Sequence, residues 1–80
     1  MIRSSRPYAR NPVLGMPAMK RIRALPAPAR EALRRVLIDL AEDASGRAEK
    51  CWRRHKAPMA AYWKAVAVYA RHIARALRYS

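Results

Sequence analysis

One apolar stripe keeps a single phase through Leu33, Leu37, Leu40, Ala44, Ala48, Cys51 and His55, and stops at Ala57-Pro58. Steps of three and four residues trace one face of an α-helix. The residue ahead of a proline is pushed out of the helical region, while proline is tolerated in the first turn of the helix that follows. The chain is therefore constrained to a helix, a break and a second helix. In the first helix, starting near Pro28, the core candidates are Leu33, Val36, Leu37, Leu40, Ala41 and Ala44, with Ile38 off the stripe. The second should run from about 58 to 78, with Met59, Tyr62, Val66, Tyr69, Ile73 and Leu77 as core and Trp63 and Ala70 beside them. Its many alanines allow close helix–helix approach. No stretch alternates as a strand would.

Ser45-Gly46 leaves one point open. Gly46 can end a helix and Ser45 can cap the next. Yet the stripe stays in phase across them, so one helix from about 28 to 56 fits as well as two. Read with a turn there, Asp43–Lys56 has the outline of a helix-turn-helix, but it has no Asn or Gln cluster for base reading. Residues 1–26 carry four of the six prolines and no sustained period, and they read as an extended, Arg-rich arm. The expected organisation is an arm over 1–26 and a helical domain over 27–80. The fold class is all-α, a helical hairpin or a small three-helix fold. A core from about fifty residues rarely suffices alone. Cys51 is the one cysteine, so no intrachain disulfide can help. Dimerisation or docking on a partner is expected to complete the core, a four-helix bundle of two hairpins being the simplest closed form.

Charge constrains function more than fold. Eighteen Lys and Arg stand against five Asp and Glu, a net charge of +13 on 80 residues. Such a chain attracts polyanions. Two basic blocks, 1–30 and 46–80, flank an acidic-leaning stretch with Glu31, Asp39, Glu42 and Asp43. Within 31–39, Glu31–Arg35 and Arg35–Asp39 have i,i+4 spacing and read as a solvated face.

Three sets of residues are candidates for binding nucleic acid or an acidic partner. Arg47, Lys50, Arg53 and Arg54 share a broad helical face and can track phosphates. Lys64, Arg71, Arg75 and Arg78 form a narrow ridge on the last helix, where the C-terminal dipole itself favours some of them. Arg21 and Arg23 sit in the arm, which can wrap an acidic partner. Trp52, Trp63 and Ile38 are the candidates for a protein interface. Cys51 and His55 have the i,i+4 spacing of paired metal ligands, and His72 would be a third, but no fourth ligand is evident and no metal or other cofactor is expected. No Gly-rich phosphate loop or paired catalytic carboxylates are present, so no enzyme is expected.

The leading expectation is a non-enzymatic binder of nucleic acid or a nucleoprotein complex. The alternative is a phage- or plasmid-type accessory protein that inhibits or regulates a host complex, an RNA-guided defence complex for example, through an acidic protein surface. A homodimer is compatible with both. A membrane role ranks last, because the last helix is only weakly apolar. Residues 1–25 lack the apolar run of a secretory signal, and a cytoplasmic location is expected.

Overall fold

In the computed structural model, which describes residues 11–78, a 3-10 turn (Pro12–Gly15) precedes α1 (Met19–Ala24), α2 (Ala27–Arg53) and α3 (Ala57–Arg78). The described residues contain no strand. α2 passes through Ser45-Gly46 without interruption. The continuous phase of its buried face outweighs the ~1 kcal/mol that an interior glycine costs a helix. This removes the turn that a helix-turn-helix at 43–56 would need.

The chain reverses nine residues later. The Lys56 N–H donates to the Cys51 carbonyl at 2.8 Å and the His55 N–H to the Trp52 carbonyl at 3.1 Å. His55 has φ 60°. These paired bonds around a left-handed residue form a Schellman cap, a place usually held by glycine. Pro58 then sits in the first turn of α3, as the Ala57-Pro58 step predicts.

α2 and α3 pack as an antiparallel hairpin, but not through the expected residues. α3 turns Ala60, Ala67, Ala70, Ala74 and Leu77 inward, with Trp63 half-buried among them. Facing them on α2 are buried Ala41 and Ala44, with Leu37, Ala48 and Cys51 half-buried. Met59, Tyr62 and Tyr69, read as core, are exposed, Tyr62 at 57% and Tyr69 at 64%. Leu33, Val36 and Leu40 are exposed as well. Each helix carries two stripes of the same period, and periodicity alone does not choose between them. The alanine stripe wins because small side chains let the backbones approach closely, with Trp63 and Leu77 at its ends. The fully buried positions are correspondingly small: Ala41, Ala44 and Ala76.

Residues 12–24 also depart from the expected extended chain. Val13 and Met19 are buried against Ala76, with Leu14, Ile22 and Ile73 packed around them. Asn11 ties the segment down twice. Its Oδ1 accepts from the Val13 N–H at 3.2 Å, and its Nδ2 donates to the His72 carbonyl at 2.7 Å. Pro12 starts the 3-10 turn, where its missing N–H costs nothing. The rest of the proposed arm, with Arg3, Arg6, Tyr8 and Arg10, lies outside the described residues, as does Tyr79.

The result is a slab, 16 Å in its thinnest dimension. That is little more than the ~10–12 Å diameter of one helix. No helix among the described residues is long and apolar enough to cross a membrane.

Candidate nucleic-acid and partner interface

Two contacts establish the geometry of the hairpin's sides. Arg71 Nη2 donates to Ser45 Oγ at 3.0 Å across one seam. Across the other, the Arg47 guanidinium lies 5.2 Å from the centre of the Trp63 ring, within the range of a cation–π contact. Helical phase of about 100° per residue distributes the remaining side chains. Ile38 and Trp52 of α2, with Lys64, Arg71 and Arg78 of α3, fall on the Arg71–Ser45 seam. Leu33 and Leu40, with Met59 and Val66, fall on the Arg47–Trp63 seam.

The first basic set holds together. Arg47, Lys50 and Arg53 are exposed on the last turns of α2, Arg47 at the seam with α3, and exposed Arg54, His55 and Lys56 follow in the turn. Arg47 is bonded to Asp43 at 2.8 Å, and that hydrogen bond raises its pKa further. Among the described residues the other ion pair joins Arg34 to Glu31, at 2.7 Å. Among the described residues Lys50, Arg53, Arg54 and Lys56 have no ion-pair partner. The α2 C-terminus favours cations here, yet five within ten residues exceed what one helix end needs. The realised pairs are Glu31–Arg34 and Asp43–Arg47, not the expected Glu31–Arg35 and Arg35–Asp39. Arg34 lowers the Glu31 pKa, chiefly by its hydrogen bond.

The second set is arranged differently. Lys64, Arg71, Arg75 and Arg78 do share one side of α3, but that side borders the glutamates of α2. Lys64 and Glu49 line the same groove, and Arg78 and Glu31 line the same pocket. Glu42 falls on this side of α2 by phase. The field of the ridge is therefore partly cancelled by carboxylates that are remote in sequence. Arg21 and Arg23 are exposed on α1, at the end of α3 away from the turn. The three sets do not form one surface.

Sequence reasoning missed one cluster. The start of α2 meets the end of α3, and there Arg30 and Arg34 join Arg78 around a pocket of about 640 Å³ that Glu31 also lines. Only the register of the hairpin brings these residues together, so no local signal marks them.

The apolar candidates separate too. Trp52, at 68% exposure, edges a groove of about 430 Å³ whose other lining residues include Ala48, Ala57, Ala60 and Ala61. Trp63 is half-buried on the opposite seam, with Tyr62 edge-on at 5.1 Å. Ile38 is half-buried on the same side as Trp52 but about 21 Å along α2 at ~1.5 Å per residue.

His55 leaves the helix at its left-handed turn, so the i,i+4 geometry with Cys51 is not formed. Among the described residues no three His, Cys, Asp or Glu side chains gather as metal ligands. His72 Nδ1 is buried with no hydrogen-bond partner among the described residues. No family model matches the chain, and neither a curated protein nor a solved structure matches it.

Proposed function

We propose that this chain is a non-enzymatic binder of nucleic acid or of a nucleoprotein complex, gripping phosphates with Arg47, Lys50, Arg53 and Arg54 at the hairpin turn. The supporting observation is the exposed cation cluster there, in which, among the described residues, Arg47 alone has a carboxylate partner. Each phosphate neutralised releases counterions, giving a slope of about −0.9 in log affinity against log salt for a duplex. Four contacts give a slope of about −3 to −4. The test is fluorescence anisotropy of labelled duplex and single strands across a salt titration. Charge reversal at Arg53 and Arg54 should abolish binding with helicity intact, and reversal at Arg71 and Arg75 should weaken it less. Unchanged affinity in the Arg53/Arg54 variant would end this reading.

A second reading is favoured by Trp52, a large exposed aromatic beside an apolar groove. Exposed tryptophan next to arginine is a common anchor of protein interfaces. Here the chain would be an accessory protein of the phage or plasmid kind, docking on an acidic surface of a host complex, an RNA-guided defence complex for example, and blocking it. A stoichiometric protein that survives nuclease and high salt, and is lost with Trp52→Ala, would favour this reading over direct phosphate binding.

A further inference from the structure

α3 has a second stripe with the same period as its buried one: Met59, Tyr62, Val66, Tyr69, Ile73 and Ala76. The chain covers one end of it. Val13, Leu14, Met19 and Ile22 pack on Ile73 and Ala76. The other end, Met59 to Tyr69, is left open, with Met59, Tyr62 and Tyr69 exposed and Val66 half-buried. Across 57–70 the one charged residue is Lys64, in a chain that is 29% charged, and Lys64 faces the other seam. Contiguous apolar surface of this kind marks an interaction site.

We infer that the open stripe is closed by α3 of a second copy, antiparallel across a two-fold axis, with Tyr62 against the partner's Val66 and Met59 against the partner's Tyr69. Four observations favour this occupant. The stripe is self-complementary when reversed, as an isologous contact requires. The slab is 16 Å thick with alanines as its fully buried residues, and it lacks the second layer on which helical domains are built. At ~150–250 Å² per large aromatic side chain, the stripe and the small residues beside it present on the order of 500–600 Å² per copy. Doubled, that reaches the lower edge of stable interfaces, about 1,000–1,200 Å² in total. Charge also favours this arrangement. Lys50 and Arg53 lie on the flank of α2 away from the stripe, and an antiparallel pair carries its two basic turns at opposite ends.

The test is sedimentation equilibrium of nuclease-treated full-length protein in 0.5 M salt (roughly 4 Å screening length), so that neither bound nucleic acid nor repulsion decides the outcome. Twice the 9.2 kDa chain mass is expected in the micromolar range, with Val66→Glu raising the dissociation constant at least 100-fold. Circular dichroism checks that the variant remains helical. If it does not, the milder Tyr62→Ser, expected to weaken the dimer about tenfold, replaces it. With Cys51→Ser in both proteins, an equimolar mixture of Tyr62→Cys and Val66→Cys should form the mixed disulfide in preference to either homodisulfide. A monomer throughout the range, a dimer indifferent to Val66→Glu, or a stripe that instead carries a monomer onto anionic liposomes would overturn the inference. Because nucleic acid is absent, failure here leaves phosphate binding at the turn untouched, and loss of phosphate binding leaves the dimer untouched.

Discussion

Replacing Gly46 by alanine tests the feature on which the hairpin depends. Gly46 lies within one unbroken helix, on its exposed side, and a Cβ added there meets nothing within 4 Å. The substitution thus has no steric cost. It removes the conformational freedom of glycine in the unfolded chain and adds a strong helix former, together about 0.5–1 kcal/mol of stabilisation. For a domain of this size, 1 kcal/mol raises the melting temperature by about 4–8 °C. Urea unfolding followed by helical circular dichroism should show a higher midpoint with an unchanged slope. A break at Ser45-Gly46 would reverse the sign, because a glycine ending a helix adopts a left-handed conformation that alanine resists at about 1–2 kcal/mol. Destabilisation by Gly46→Ala would therefore refute the continuous α2, and with it the register that juxtaposes Arg30, Arg34 and Arg78.

Three further outcomes follow from individual contacts. His55 occupies the left-handed position of the Schellman cap, so His55→Gly should stabilise by about 0.5–1 kcal/mol in the same unfolding assay while His55→Val destabilises. Asn11→Ala deletes both the bond to the His72 carbonyl and the cap on Val13; a loss of about 1–2 kcal/mol is expected, with faster amide exchange in the first half of α1. Glu31 titrates below its ordinary value of 4.5 because Arg34 hydrogen-bonds it, so its contribution is fully present above that value and is lost as pH falls through the lowered one; Glu31→Gln should remove that acid-side component of an unfolding titration and leave the neutral-pH profile with its shape unchanged.

Helix, break and helix were legible because the signals are local: the stripe from Leu33 to His55 and the Ala57-Pro58 step. The direction of each face was not. Tyr62 and Tyr69 are more apolar than Ala60, Ala67, Ala70 and Ala74, and a reading weighted by hydrophobicity puts the tyrosines inside. Packing weights size instead, since two helices pressed together through alanine gain contact along their backbones. The helical turns of the 12–24 segment were not legible for a related reason. Its prolines argue against a long helix, and they say nothing against short helical turns anchored by Asn11, Val13 and Met19 on a distant part of the chain. Gly46 and His55 reverse their usual roles, glycine inside the helix and histidine at the left-handed cap, so the turn is not where composition suggests.

The basic residues show how far a charge pattern falls short of a charged surface. In the sequence nothing acidic follows Glu49, so Arg71, Arg75 and Arg78 read as a ridge without internal competitors. Folding supplies them. The antiparallel hairpin lays the ridge of α3 beside Glu31, Glu42 and Glu49 of α2, whereas among the described residues Lys50, Arg53 and Arg54 form no ion pair. A phosphate approaching the turn therefore meets cations with few internal competitors, and one approaching the ridge displaces interactions the protein already has. Both sets carry the same formal charge per residue, so their unequal response to charge reversal would report the fold itself. Equal losses from Arg53/Arg54 and Arg71/Arg75 reversal would mean that the polyanion senses net charge and not this arrangement.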